Sequence, residues 1–575
     1  MLKYLLVSFS LLTACSGQDV SKVKAPLNGP LQIAMPAGHE ARGKSYALSS
    51  QGQGTSAAGQ AMLDAGGNVV DAFAAMSFAI SVERPHSTGL GGGGFLLLQL
   101  KGWPSPKAFD FRERAPFAAT EGMYLDKEGK VIPRKSVEGA LSAGTPGLVR
   151  GVLELHRKYG KLSRAAVMAP AIKLAEDGFP IYPELARAFK VSRDSLAKYP
   201  SSAAVFLKDG QPLEAGAPLV QKDLAKTLRA IAKKGAAEFY SGETARALVA
   251  SQKKWGGLLE KKDLADYRMK ERRPVHASYR GQDIYSMPPP SSGGVHVLQM
   301  LGMLENDDVK ALGVLSPASV HLLGSAMELA FRDRAEHLGD PDFQKVPTGG
   351  LQNKKYLETM RARIPADHAL DPATLGPGNP WPYESPETTH FSILDHQGNA
   401  VATTQTINGY FGSGLVAEGT GVLFNNEMDD FGAKVGASNI FGAIGGQKNL
   451  VQPGKRPLSS MAPTIVTKAG APVFVTGSPS GTRIISCVFL SVINHLGYGL
   501  NLSDSIATLR FHHQWQPGKL FVEPGFPAAT VGALRKLGHE VEEKDLGCRV
   551  EAAALDQEGV QSVADPRGFG SALAR

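Results

Sequence analysis

Apolar and polar positions follow different periods in successive stretches of the chain. Small and apolar residues crowd Gly52 to Ile80 and predict a tightly packed helix after Ser56. The run Gly89-Leu90-Gly91-Gly92-Gly93-Gly94-Phe95 then leads into a strand over Leu96 to Leu100. No Gly-Lys-Ser/Thr follows those glycines, so they predict backbone packed close to another segment or a ligand rather than a phosphate cradle. From 146 to 270 the pattern is mostly helical, with Leu224, Leu228 and Ile231 marking one amphipathic helix, and it turns helical again from Ala318 to Glu336. Ser286-Met287-Pro288-Pro289-Pro290-Ser291-Ser292-Gly293-Gly294 interrupts any regular element and forms a shaped loop. Between Pro365 and Glu387, six prolines fall within 23 residues, a density that no helix or central strand survives. Such exposed connectors are where chains are cut. Behind it, Thr388–Asp395 and Ala400–Asn408 flank the turn His396-Gln397-Gly398-Asn399 and predict a hairpin. If Asp395 pairs with Ala400, Thr388 faces Ile407. A one-residue change places it opposite Thr406 or Asn408 instead. In each register Thr388, Thr406 and Asn408 cluster at the open end.

Composition narrows the class. The 575 residues are 43% hydrophobic and 20% charged, which excludes wholesale disorder and a polytopic membrane protein. The net charge of +8 is scattered, and acidic residues interleave in the densest basic run, Lys253 to Arg273. That is a solvated face, and no nucleic-acid partner is expected. The N-terminus adds more. Lys3, the apolar run Tyr4–Leu12 and then Thr13-Ala14-Cys15 are too short to span a bilayer and have the parts of an export signal. Ending on cysteine, residues 1–15 resemble a bacterial lipoprotein signal. The resemblance implies a lipid on Cys15, contact with the membrane only through that anchor, and a place on the periplasmic side of the envelope at the outer membrane. Residues 16–50 read as a tether leading into the main body. Cys487, in the apolar run Ile484–Phe489, reads as a buried free thiol, with nothing pointing to a bond with Cys548.

A Thr at the head of a strand, just behind a cuttable connector, admits a specific chemistry. Cleavage between Glu387 and Thr388 turns the Thr388 hydroxyl into a nucleophile whose own new α-amine serves as general base. A neighbouring hydroxyl such as Thr406 holds the nucleophile's oxygen in line. On this segment alone, a Thr chosen for strand propensity is the simpler reading.

The remaining motifs reverse that judgement. Thr388-Thr389-His390, Asn425-Asn426-Glu427-Met428-Asp429-Asp430-Phe431, Lys455-Arg456-Pro457-Leu458-Ser459-Ser460-Met461 and Gly477-Ser478-Pro479-Ser480-Gly481-Thr482-Arg483 closely resemble the γ-glutamyltranspeptidases. So do Asp110-Phe111-Arg112-Glu113, Gly144-Thr145-Pro146-Gly147, the Pro-Pro-Pro-Ser-Ser-Gly-Gly loop, Leu338-Gly339-Asp340-Pro341-Asp342 and Arg510-Phe511-His512-His513-Gln514-Trp515. The resemblance implies an α+β fold, the four-layer αββα sandwich of N-terminal-nucleophile hydrolases. It also implies self-cleavage into a large subunit (51–387, with the tether) and a small catalytic subunit (388–575) that stay together as a heterodimer. The substrates it implies are glutathione and other γ-glutamyl compounds, with water, amino acids or dipeptides as acceptors and no cofactor or metal. By family match, Thr388 attacks the γ-carbonyl and the backbone N–H groups of Ser480 and Gly481 meet the oxyanion. Arg112 takes the α-carboxylate with Ser459 and Ser460, while Asn408, Glu427 and Asp430 surround the α-ammonium.

Duller alternatives exist for several of these residues. Read without the family, Arg112 in Asp-Phe-Arg-Glu forms a surface ion pair with Glu113 or Asp110. Glu427 and Asp430 lack the alternating spacing of a calcium loop, and His512-His513 reads as packed core. Two departures from the family stand out. Ser480 occupies a position usually held by Gly, where a positive φ costs on the order of 1 kcal/mol. In the lid-like segment Ala433–Gln447, Phe441 stands where a hydroxylated aromatic is common. The rival readings are an acylase of the same fold, of glutaryl-cephalosporin or poly-γ-glutamate type, and a non-catalytic binding lipoprotein.

Overall fold

The computed structural model describes residues 33–380 and 392–575. Glu387, Thr388, His390 and Cys15, the predicted signal and the subunit boundary lie outside those residues.

Two seven-stranded sheets face each other. In chain order the strands are β1 (Glu40–Gly43), β2 (Tyr46–Ser50), β3 (Gly93–Gln99), β4 (Lys107–Asp110), β5 (Lys270–Arg272), β6 (Val275–Tyr279), β7 (Gln282–Ser286), β8 (Ser392–Asp395), β9 (Ala400–Thr406), β10 (Thr464–Lys468), β11 (Ala471–Gly477), β12 (Glu551–Asp556), β13 (Gly559–Ala564) and β14 (Ser571–Ala574). One sheet runs β1-β13-β12-β11-β10-β7-β6 and the other β14-β2-β8-β9-β3-β4-β5, with every pair antiparallel.

The two-residue period explains the layering. In the second sheet Phe95, Leu97, Ala400 and Ala402 point into a core shared with Ile465, Val475 and Ala553 of the first. Leu96, Leu98 and Val401 point the other way, onto the helices Gln53–Asp64, Val69–Glu83 and Leu148–Tyr159. Helices Gly293–Met303, Pro317–His337 and Arg483–Val492 close the outer face of the first sheet. This is the expected αββα order.

Several elements differ from the sequence expectation. The single helix expected after Ser56 is two, broken at Ala65-Gly66-Gly67, with Asn68 capping the second through hydrogen bonds from Val70 and Asp71. Leu394, not Asp395, pairs with Ala400. The Asp395 carboxylate accepts from the N–H groups of Gln397 and Asn399, at 2.9 and 3.0 Å, and so folds Asp395 into the turn. This shifts the ladder by one residue, so that Ser392 meets Ala402. The thiol reading of Cys487 is wrong. Cys487 and Cys548 form a disulfide across a separation of 61 residues. The helix Arg483–Val492 carries Cys487 to Cys548, which just precedes β12 of the first sheet, and no local pattern announces the bond.

Candidate active site

The residues flagged in the sequence converge on one cleft of about 470 Å³. Arg112, Thr406, Asn408, Glu427, Asp430, Ser459, Ser460, Ser480 and Gly481 all line it. They arrive from both sheets and from the loops between them.

Thr406 ends β9 against Gly93 of β3. A Cβ on Gly92 would run into the Thr406 carbonyl, so the glycine run is what lets β3 and its approach lie flush under the site. The Thr406 Oγ1 accepts from the Asn408 N–H at 2.7 Å. Asn408 sits at φ 75°, a left-handed conformation that Asn tolerates, and its side chain donates to the Asn426 carbonyl at 3.1 Å.

Arg112 follows β4 and is 1% exposed. Its fork meets Glu427 at Nη1 and Asp430 Oδ2 at 2.6 Å from Nη2, both on the short helical turn Glu427–Asp430, while Nε donates to the Pro457 carbonyl at 3.3 Å. The alternative of a surface ion pair with Glu113 or Asp110 therefore fails: Arg112 is buried and pairs with the proposed ammonium ligands. Asp110 instead turns to Arg272 (2.7 Å) and Arg456 (3.2 Å) and accepts the Arg112 N–H. Asp340 binds the Arg456 N–H and Asp342 binds Arg272. The Gly-Asp-Pro-Asp motif thus belongs to a buried charge scaffold beneath Arg112, which fixes it without touching the cleft.

Glu113 was not singled out by its sequence context. It is fully buried, and as a carboxylate neither of its oxygens has a donor, nor does Oε2 of Glu427. The two carboxyl groups lie in hydrogen-bonding reach of each other. One proton shared between them satisfies the orphaned oxygens. Burial, then the Glu427 charge, raises the Glu113 carboxyl well above its ordinary range. Burial raises Glu427 too, to about 7, but the Arg112 charge opposes the rise, so of the two carboxyls Glu113 is the one that keeps the proton.

Ser459 and Ser460 are held by the Pro-rich loop. The Ser459 N–H donates to the Pro290 carbonyl and the Ser459 carbonyl accepts from the N–H and hydroxyl of Ser292, at 2.7–2.8 Å. Arg334, on the helix Pro317–His337, donates to Ser292 Oγ at 2.8 Å and Ser460 Oγ at 3.0 Å. Burial pulls its guanidinium down to about 10. Arg334 is a cleft residue missed in the sequence, because its helical neighbours show only a core pattern.

Ser480 and Gly481 form the turn between β11 and the helix Arg483–Val492. Ser480 has φ 112° and Gly481 φ 57°. Among the described residues, neither N–H has a hydrogen-bond partner, so two adjacent donors are free to meet an oxyanion. The Ser480 hydroxyl donates to the Leu546 carbonyl at 2.9 Å. The Phe441 ring lies where a Cβ on Gly481 would be, and Asn439 donates to Asp430 at 2.8 Å. Asn439, Ile440 and Phe441 of segment 433–447 therefore line the cleft. His512 and His513 are buried, and desolvation drives both down to about 3. His512 bonds Ser486 and Gln514, as core residues do.

The γ-glutamyltranspeptidase family model matches residues 55–575. The chain is 43% identical over 556 residues to the glutathione hydrolase proenzyme of Escherichia coli (strain K12), covering 96% of each. Among solved structures it is similar to a cephalosporin acylase from Bacillus halodurans, with TM-score 0.83 and 27% identity over 96% of this chain and 99% of that one. It is also similar to the γ-glutamyltranspeptidase of Helicobacter pylori, with TM-score 0.56 and 42% identity over 57% and 94%.

Proposed function

The chain belongs to the γ-glutamyltranspeptidase family, and we propose that its cleft moves a γ-glutamyl group from glutathione and related amides to water or to an amino acid or dipeptide, with Thr388 as nucleophile. Hydrolysis of the Glu387–Thr388 bond frees the Thr388 amine. That amine takes the hydroxyl proton as the oxygen attacks the γ-carbonyl. The Thr406 hydroxyl, on the cleft wall, holds the nucleophile's oxygen in line. The developing oxyanion is met by the N–H groups of Ser480 and Gly481. Collapse expels the amine, which recovers the proton, and leaves a γ-glutamyl ester on Thr388. Water or an acceptor amine resolves the ester by the same route in reverse.

The amino-acid head is read by charge. Glu427, Asp430 and the Asn408 side-chain oxygen accept from the α-ammonium. Arg112, Ser459 and Ser460, the last backed by Arg334, take the α-carboxylate. The observation that carries this reading is the convergence of nine of the ten flagged residues on one cleft. The same head-recognising set favours a γ-glutamyl donor over a glutaryl one, which lacks the ammonium.

For location we propose export and lipidation at Cys15, with the protein held on the periplasmic side. A disulfide between two fully buried cysteines supports an oxidising compartment. Among the described residues no helix is long and apolar enough to cross a membrane.

The test is Thr388→Ala. The wild-type chain should separate into two fragments, the smaller beginning Thr-Thr-His-Phe, and turn over a γ-glutamyl anilide. The variant should stay one chain and turn over none. A wild-type chain that is uncut and inactive would overturn the assignment.

A further inference from the structure

Five arginines line the cleft, and four of them are occupied. Arg112 is taken by Glu427 and Asp430, and Arg334 by Ser292 and Ser460. Arg84 is held by Glu184 and the Gln51 carbonyl. Arg549 donates to the Cys548 carbonyl at 2.7 Å and reaches Asp545 at 3.7 Å. Arg483 differs. It lines the cleft, yet its guanidinium makes no hydrogen bond or ion pair among the described residues, and its Nε is buried without a partner. Asp545 acts on it electrostatically but forms no ion pair with it. A half-buried guanidinium left in this state is costly unless an anion arrives to meet it.

Its place says which anion. Arg483 opens the helix that follows the oxyanion turn, two residues after Gly481. Its Cα therefore lies within about 7 Å of Gly481. The amide broken at the oxyanion turn has a leaving group on its far side, and in glutathione that is a dipeptide ending in a carboxylate. Two residues span at most about 7 Å, so the dipeptide carboxylate falls within reach of Arg483. A single amino acid presents its carboxylate next to the reacting amine, short of that reach.

We infer that Arg483 is the binding residue for the terminal carboxylate of the departing dipeptide, and by microscopic reversal for that of a dipeptide acceptor. This rests on the γ-glutamyl-transfer reading above and adds a subsite to it. The helix is pinned for this purpose. Cys487, one turn on, is bonded to Cys548, next to Arg549 on the same cleft wall, so Arg483 and Arg549 are held at a fixed spacing.

The experiment compares wild type with Arg483→Gln on two donors, glutathione and a γ-glutamyl anilide whose leaving group has no carboxylate. The ratio of kcat/KM for glutathione to that for the anilide should fall about 10- to 100-fold, the worth of a charge-assisted hydrogen bond. In wild type alone, Gly-Gly should outcompete Gly-Gly-amide as acceptor by a similar factor, an arm that survives even if the variant misfolds. Turnover of both donors with an unmoved ratio, or equal use of the two acceptors, overturns the inference and leaves the reading of the cleft intact. Failure of wild type to turn over either donor overturns both.

Discussion

Glu113→Gln probes the buried carboxyl pair beneath Arg112. Gln has the same length, and its amide can donate to Glu427 where the Glu113 proton now does. In the unfolded chain this carboxyl titrates near 4.5, whereas in the folded protein burial and the Glu427 charge keep it protonated well above that. Between those two values the folded state binds one more proton than the unfolded state. Stability contributed by Glu113 is therefore complete below pH 4.5 and declines as pH rises, by up to about 1.4 kcal/mol per unit. Gln has no proton to lose. Between about pH 5 and pH 7 the variant should gain on wild type as pH rises, by up to about 1.4 kcal/mol per unit. Urea denaturation of both proteins in an uncut Thr388→Ala background keeps the unfolding unit a single chain. A stability gap that does not widen across that interval would refute a protonated Glu113. The donor KM should change little, because Arg112 keeps both of its acidic partners.

Two further substitutions bear on the oxyanion wall. Ser480→Gly relieves a φ of 112°, worth about 1–3 kcal/mol, but loses the bond to Leu546, about 1 kcal/mol, and adds backbone freedom worth about 0.5–1 kcal/mol. These largely offset, so stability should move by no more than about 1.5 kcal/mol while kcat shifts with the aim of the two N–H donors. A large loss of stability with kcat unchanged would show that the hydroxyl, not the backbone, is the feature under selection. Replacing Cys487 and Cys548 by Ala opens a loop of 61-residue separation, which costs about 2–4 kcal/mol by denaturant midpoint. It should also raise KM for glutathione more than for the anilide, and equal rises for both would disconnect the disulfide from the dipeptide side.

The cleft was largely legible through the resemblance to the γ-glutamyltranspeptidases, a family whose chemistry fixes residue types. A carboxylate needs an Arg fork, an ammonium needs acids, and an oxyanion needs a turn rich in small residues. Neither register nor partner choice was legible. Whether Leu394 or Asp395 meets Ala400 depends on two hydrogen bonds inside a turn. Arg112 was expected to serve a substrate or to pair with its chain neighbours. Only the tertiary fold, which lays the turn Glu427–Asp430 against the end of β4, shows that it is bridged by Glu427 and Asp430. Cys487 with Cys548, and Arg334 with Ser460, are joined by tertiary distance alone. The glycines from Gly89 to Gly94 were read correctly as a close approach, since a residue without Cβ is itself a statement about space.

The strand order has a consequence for how this protein comes into being. In the sheet β14-β2-β8-β9-β3-β4-β5, β2 from before residue 380 is inserted between strands from after 392, and in the other sheet four later strands lie between β1 and the β7-β6 pair. Neither portion completes a sheet alone. While the connector is intact, each portion meets the other at the millimolar effective concentration of a tether. Once it is cut, any unfolding releases two partners that must find each other by diffusion. Maturation thus converts a reversible folder into an assembly whose lifetime is set by how slowly it comes apart. Supplying the two portions as separate genes should then recover far less enzyme than the single precursor does.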